Sequence, residues 1–235
     1  MHFTIVGAGP GDPDLITLKA FRAIKRSDIV FVDSLVSKDF VEKIDQSRKI
    51  MNIGRRSGDM GNDPIRNLRE KLLEISNKSI DVCHLKNGDP GLFGRLQEEI
   101  KLLEEFRINY DIIPGITSAI GIPTMLGIPV TARGVSRAVT LLTATNEYGH
   151  FAENEIANSL RTPTTTIILM VRNFISNLSE LLLREGFKGA VTVIQNGTLP
   201  NEKVITFDYA TSNKVIKVDE STDPTIVVIQ PAKKQ

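Results

Sequence analysis

Two glycine-rich turns, each placed where a strand should pass into a helix, constrain this chain more than any other feature. The first covers residues 6–13 (VGAGPGDP) and the second covers residues 86–95 (KNGDPGLFGR). In α/β folds, the loops outside the carboxyl ends of the strands leave the backbone open to a ligand. The two turns therefore predict an α/β fold whose ligand site lies at the ends of strands.

The first turn differs from the dinucleotide-binding pattern G-x-G-x-x-G. Gly7 and Gly9 are in place, but Asp12 stands where the third glycine would be, and Pro10 removes a backbone donor that a pyrophosphate would use. The turn favours a nucleoside-type ligand. A nucleotide-binding oxidoreductase remains an alternative, because Asp33 lies near the spacing expected of a ribose-binding acid.

Composition excludes several classes of protein. The 235 residues carry a net charge of +1, which argues against a nucleic-acid-binding protein with a broad basic face. No apolar stretch reaches the roughly 18 residues of a membrane span, and we expect no signal peptide, because the first residues already show a strand pattern. The single cysteine, Cys83, suits a reducing cytoplasm. The three histidines show no ligand spacing, so no metal site is expected.

The first half of the chain alternates between strand and helix patterns. Strands are predicted over residues 3–6, 29–32, 49–53, 80–85 and 110–113, and helices over residues 15–25, 40–44, 65–75 and 96–106. This alternation is typical of a mostly parallel sheet covered on both faces. Cys83 and His84 are neighbours on one predicted strand, so they point to opposite faces and cannot form a catalytic pair.

Pro114-Gly115 interrupts the chain at its middle and predicts a linker between two α/β domains, residues 1–113 and 114–235. A short helix is expected from Thr117-Ser118 to Met125. Beyond it, strands are predicted over residues 138–143 and 165–171 and helices over 153–160 and 175–184. Four closely spaced strands follow, over residues 190–195, 204–207, 214–218 and 225–229, which predicts an antiparallel finish.

Several separate motifs in a fixed order resemble those of the tetrapyrrole methyltransferases, over residues 3 to about 229. The motifs are residues 7–12, 33–37 (DSLVS), 85–95 with Glu98-Glu99, 114–119 (PGITSA), 127–134 (GIPVTARG), Leu169-Met170 and 195–198 (QNGT). The resemblance implies a homodimer of two-domain chains with a ligand cleft between the domains. It also implies that S-adenosyl-L-methionine methylates uroporphyrinogen III at two ring carbons, leaving S-adenosyl-L-homocysteine. Whether the product enters siroheme or cobalamin synthesis stays open.

By position, the resemblance also assigns residues to the methyl donor. They are Pro10, Asn87, Gly88, Asp89, Leu92, Thr117, Ser118, Met170 and Gly197. Some of these residues have simpler interpretations. Thr117-Ser118 is also a helix cap, and Met170, in an apolar strand, is by default a core residue.

The acceptor and its chemistry account for a second set of residues. Uroporphyrinogen carries eight carboxylates, for which forked arginine side chains are suited, and Arg55, Arg95 and Arg133 are the substrate-binding candidates because they lie in or beside turns. Arg95 and Arg133 also match family residues implicated in substrate handling. After methylation the macrocycle must lose a proton, and a carboxylate near Arg95 is expected to accept it, either Asp33 or Glu98. Asp33 matches the family's proposed proton acceptor, and Arg95 and Glu98 match residues implicated in the same step.

The chain departs from the usual family pattern at Asn87, Arg55, Leu96 and Gln97, and these departures allow a shifted substrate. A methylase of a later cobalamin precursor is therefore the second hypothesis. The oxidoreductase is the third, and a tetrapyrrole-binding protein without activity is the fourth.

Overall fold

The computed structural model describes residues 1–43, 49–54, 63–75, 78–209, 215–216 and 223–232. By its internal contacts the chain divides into two compact units, Met1–Ser118 and Ala119–Gln235. The domain boundary expected between residues 113 and 114 stays a prediction.

The first unit is a five-stranded parallel sheet with helices on both faces, as the alternating pattern predicted. Its strands are β1 (His2–Gly7), β2 (Ile29–Val32), β3 (Lys49–Asn52), β4 (Asp81–Lys86) and β5 (Asn109–Ile113). Its helices are α1 (Leu18–Arg26), α2 (Lys38–Lys43), α3 (Pro64–Ile75) and α4 (Leu96–Glu105). The strand order is β3-β2-β4-β1-β5, and every neighbouring pair is parallel.

Alternate residues of each strand supply two separate cores. Cys83 and Leu85 of β4 pack with Ala20 and Ile24 of α1 on one face. Phe3, Val82 and Ile5 pack with Leu72 of α3 and Leu103 of α4 on the other face. Cys83 and His84 therefore point to opposite faces, which confirms the prediction from strand geometry. Burial raises the pKa of the Cys83 thiol, so this cysteine is an unreactive core residue.

Helix α1 starts later than predicted. Residues Pro13–Leu15 form a 3-10 turn, and the Asp12 side chain accepts a hydrogen bond from the Asp14 amide. Thr17 then caps the helix, because its hydroxyl accepts the Ala20 amide at 3.1 Å. A capped start satisfies an amide that would otherwise lack a partner, so it sets the first turn at Leu18.

The second unit combines a short parallel pair of strands with the antiparallel finish that the sequence predicted. Its strands are β6 (Val139–Thr143), β7 (Thr165–Leu169), β8 (Gly189–Gln195), β9 (Lys203–Asp208) and β10 (Thr225–Pro231). Helix α5 (Ser118–Met125) comes first, and its first residue is the last residue of the first unit. Helices α6 (Glu153–Leu160) and α7 (Ile175–Arg184) follow. The order is β6-β7-β10-β8-β9, and only β6 and β7 are parallel neighbours.

Two strand predictions in this unit need correction. The strand predicted over 165–171 ends at Leu169. Of the strand predicted over 214–218, only Val215 and Ile216 are described, and neither lies in a strand. The Ile216 amide instead donates to the Ser179 hydroxyl of α7 at 2.9 Å, which replaces a sheet partner. Within the described ranges, no helix has the length and apolar character needed to span a membrane.

Candidate active site

The topology of the first sheet places a crevice between β1 and β4. These strands are adjacent, but α1, which follows β1, packs on one face, while α4, which follows β4, packs on the other. In open α/β sheets, ligands bind outside the carboxyl ends of two such strands. Both glycine-rich turns found in the sequence lie there.

Three glycines bring the loops after β1, β4 and β5 into backbone contact. A Cβ on Gly7 would lie 2.5 Å from the Gly115 nitrogen, and a Cβ on Gly115 would collide with the Gly88 carbonyl oxygen. Gly9 and Gly88 also exchange backbone hydrogen bonds, with N···O distances of 3.2 and 2.7 Å. The loops can approach this closely only because these residues lack side chains. Their meeting forms a platform of main-chain atoms.

Asp89 ties two of these loops together. One carboxylate oxygen accepts the Gly91 amide at 2.8 Å, and the other accepts the Gly115 amide at 2.9 Å. A carboxylate oxygen has a second lone pair, so each can still accept a bond from a ligand. Asp89 thus has a loop-organising role that its place in the sequence motif does not reveal.

The other donor-binding candidates of the first unit surround this platform. Pro10 is buried beside Gly9, while Asn87, Leu92, Thr117 and Ser118 are half-buried. A Cβ on Gly88 would lie 3.6 Å from the Ser118 nitrogen, at the start of α5. The structure therefore brings the sequence-predicted candidates of this unit to one edge of the sheet. That edge is the expected site for a nucleoside-type ligand.

Asp33 follows β2 at the same edge, and its carboxylate belongs to a buried cluster of four charged side chains. His84 and Lys86 come from β4, and Glu99 comes from α4. His84 Nε2 lies 3.4 Å from Asp33 Oδ1, and His84 Nδ1 lies 3.1 Å from Glu99 Oε2. Lys86 Nζ lies 3.5 Å from Asp33 Oδ2 and forms an ion pair with Glu99. We refer to these four residues as the buried tetrad.

The tetrad contains two potential anions and two potential cations. Burial alone would raise the pKa values of Asp33 and Glu99, but the hydrogen bonds and charges of His84 and Lys86 lower both below their ordinary values. Burial alone would lower the pKa of His84, but the Glu99 charge and the Asp33 hydrogen bond raise it to about 9. With His84 protonated, the tetrad is neutral as a whole.

The raised pKa of His84 makes stability depend on pH. The His84 pKa is 6.5 in the unperturbed side chain and about 9 in the fold, so the bound proton stabilises the fold fully below pH 6.5. This contribution is lost as the pH rises through 9. The lowered pKa values of the carboxylates act at the opposite end, where stability falls as they become protonated below about pH 4.

We therefore expect the free energy of unfolding, measured in urea at a series of pH values, to decline from about pH 6.5 to 9. The same series on a His84→Gln variant should be flatter over this window. A wild-type curve with no decline there would contradict the assigned protonation of His84.

Arg95 and Glu98 lie in a second cluster, exposed to solvent at the start of α4. Arg95 Nε donates to Glu98 Oε1 at 2.8 Å, and Arg95 also pairs with Asp63 at 2.5 Å. The hydrogen bond from Arg95 lowers the pKa of Glu98. Asp33 and Glu98 were both expected near Arg95, but the structure places them in different clusters. Asp33 is bonded within the tetrad, and Glu98 is bonded to Arg95.

Two further arginines, Arg133 and Arg55, are expected to bind the substrate, and the structure describes only the first of them. Arg133 is exposed in the loop that the Ala132–Ser136 bridge closes, and no ion pair joins it to any described residue. Arg55 lies outside the described residues.

Met170 and Gly197 follow β7 and β8 of the second unit. These strands run in the same direction on either side of β10, so their carboxyl ends share one edge. Met170 has a φ of 57° and is 51% exposed, so the alternative of a core methionine is wrong. The strand ends before it, which turns the side chain out of the sheet.

The residue before Gly197 carries an unsatisfied donor. Asn196 is buried with a φ of 51°, and its side-chain Nδ2 has no hydrogen-bond partner in the described part of the chain. A Cβ on Gly197 would lie 2.5 Å from Ile122 of α5. The close approach explains the glycine, and the buried amide offers a donor to a ligand.

The sequence did not single out His84, Lys86 and Glu99 as site residues. A signal existed, because His84 and Lys86 are two apart on a strand and so share a face. Two basic side chains on the inner face of a buried strand need acidic partners. Nothing in the sequence identified Glu99 as that partner, and nothing indicated that Asp63 pairs with Arg95.

Comparison with known proteins gives one consistent result. Residues 2–211 match the model of the tetrapyrrole (corrin/porphyrin) methylases. A uroporphyrinogen-III C-methyltransferase of Methanocaldococcus jannaschii is 35% identical, with 96% of this chain and 93% of the relative covered. That of Methanobacterium ivanovii is also 35% identical, over 86% of each chain. The Thermus thermophilus uroporphyrin-III C-methyltransferase, solved with S-adenosyl homocysteine, superposes with a TM-score of 0.77 at 25% identity, covering 97% of each chain.

Proposed function

The chain belongs to the tetrapyrrole (corrin/porphyrin) methylase family, and on that premise we propose that it methylates uroporphyrinogen III at two ring carbons with S-adenosylmethionine as donor. The observation that carries the proposal is the backbone platform of Gly7, Gly88 and Gly115 beside an ionised Asp33. The comparisons favour neither an oxidoreductase nor a methylase of a later precursor.

The residues of the platform suit a nucleoside with an amino-acid tail. Gly7, Gly88 and Gly115 hold the loops at the carboxyl ends of β1, β4 and β5 together, and Asp89 keeps acceptor capacity for a ribose hydroxyl or an ammonium group. When bound, S-adenosylmethionine supplies a methyl group on a positively charged sulfur. In-line transfer to carbon depends mainly on alignment, which a rigid backbone platform provides.

The chain's own residues then handle the acceptor and its proton. Arg133, with Arg55 and Arg95, binds carboxylates of the macrocycle. Asp33 accepts the proton that the macrocycle loses, because its carboxylate is ionised and still 23% exposed. The electron-rich pyrrole attacks the methyl group itself, so no side chain acts as a nucleophile.

A transfer assay with labelled donor tests this function directly. We expect purified protein, labelled S-adenosylmethionine and enzymatically generated uroporphyrinogen III to yield a macrocycle with two labelled methyl groups. Transfer only to a later precorrin would select the second hypothesis. Donor binding with no transfer to any tetrapyrrole would select a binding protein.

Asp89→Ala is expected to weaken donor binding by about tenfold, because it removes an anchor for the Gly91 and Gly115 amides. Calorimetric titration with S-adenosylhomocysteine measures the change. The control is Asp81→Ala, at the exposed opposite end of β4, which should leave the affinity unchanged. Equal affinities for wild type and Asp89→Ala would remove Asp89 from the donor site.

A homodimer and a cytoplasmic location complete the proposal. The family resemblance supports the first, and the lone cysteine supports the second. Sedimentation of the purified protein tests the dimer, since a single species of the 26.0 kDa monomer would contradict it.

A further inference from the structure

His84 is a buried histidine that the proposed reaction does not use directly. Its ring lies between two carboxylates, 3.4 Å from Asp33 and 3.1 Å from Glu99, and only 2% of the residue is exposed. Its ring also meets that of Phe3 of β1 in a T-shaped arrangement, with the ring centroids 6.4 Å apart. Both ring nitrogens therefore face acceptors, an arrangement that only the doubly protonated ring satisfies fully.

The charge balance of the buried tetrad explains why this proton matters. Lys86 reaches both carboxylates, but it neutralises only one of two anions. Without a proton on His84, the tetrad would bury one excess negative charge, and protonation of Asp33 would relieve it. Among the described side chains, the charged groups that contact His84 or Asp33 are those of the tetrad: Asp33 after β2, Lys86 of β4 and Glu99 of α4.

We propose that His84 is a positioning residue for the methylation reaction: as an imidazolium held by Glu99, it orients the Asp33 carboxylate and keeps it deprotonated, ready to accept the proton of the methylated macrocycle. The inference rests on the proposed function and deepens it.

The proton balance of this step is simple. A proton of the methylated macrocycle bonds to a carboxylate oxygen of Asp33, and the electron pair of the broken bond stays in the ring system. Asp33 becomes neutral, and it later returns the proton to solvent. His84 keeps both of its protons throughout. A pyrrole alkylated on carbon is a strongly acidic cation, so even a weakly basic carboxylate suffices, provided that it is ionised.

The test compares the pH profile of single-turnover methyl transfer in wild type and in His84→Gln. The glutamine retains a donor but no charge. We expect the transfer rate at pH 7 to fall about tenfold and its acidic limb to move to higher pH by about one unit, while donor affinity stays within about twofold. His150→Gln, the same change at an exposed histidine, should match wild type. An unshifted limb in a folded His84→Gln protein would overturn the inference.

A second measurement needs no His84 variant. In wild-type protein labelled on histidine, the His84 ring should stay protonated until about pH 9 by NMR titration. In Asp33→Asn, its titration should move to lower pH. A neutral His84 at pH 7 in wild type would overturn the inference while leaving the methyl-transfer assay untouched. Absence of transfer by wild type would instead overturn the proposed function, and this inference with it.

Discussion

Asp33→Asn is expected to lower the rate of methyl transfer by about 10²–10⁴-fold, the usual contribution of a positioned proton acceptor. The amide keeps the size of the side chain and one acceptor oxygen, but it cannot take a proton from the macrocycle. Donor affinity should be unchanged, because the glycine platform and Asp89 do not depend on Asp33. Single-turnover transfer, followed with labelled donor, measures the rate.

The control for this variant is Asp111→Asn, which makes the same change at an exposed residue of β5 and should retain wild-type activity. A folded Asp33→Asn protein that transfers methyl groups at the wild-type rate would remove Asp33 from the reaction. Glu98 would then be the remaining carboxylate candidate, although it is bonded to Arg95.

Lys86→Met is expected to lower the free energy of unfolding by about 3–5 kcal/mol, the range for removing one partner of a buried ion pair. Lys86 is only 6% exposed, and its ammonium group pairs with Glu99 and lies 3.5 Å from Asp33. Methionine fills most of the space but leaves three ionisable groups with one cation among them. Urea unfolding at neutral pH measures the change.

The matched control is Lys101→Met, at an exposed position of α4, which should change stability by no more than about 0.5 kcal/mol. A double variant, Lys86→Met with Glu99→Leu, should recover part of the loss, because it removes the unpaired anion as well. Equal stabilities of wild type and Lys86→Met would show that the tetrad contributes no pairing energy.

Local sequence signals predicted the fold class well. Alternating apolar patterns located the parallel strands of the first unit and the antiparallel finish of the second. Sequence patterns predicted the bounds of helices and strands less well where a single side chain sets them. The Thr17 cap moved the start of α1, and the Ser179 hydroxyl took the Ile216 amide that a further strand would have used.

For the candidate site, too, local sequence signals predicted some features, and the tertiary structure decided the others. Glycine turns predicted the platform, because a glycine requirement is local to the backbone and visible in one segment. Asp33 and Glu98 were both predicted to lie near Arg95, but only Glu98 is bonded to it. Asp63, far from Arg95 in the sequence, supplies the second carboxylate of that pair. Similarly, Met170 lies outside the sheet because the strand ends two residues earlier than its apolar pattern suggests.

By itself, the sequence determined that this chain forms α/β units with glycine loops at the carboxyl ends of their strands, because strand periodicity and turn chemistry act between near neighbours. Only the tertiary structure decided that His84, Lys86, Glu99 and Asp33 form one buried, neutral group. These residues come from strand β4, helix α4 and the loop after β2. Their protonation depends on the water that packing removes and on the charges that packing brings within 4 Å. Such distances, between residues far apart in the sequence, cannot be derived from a pattern along the chain.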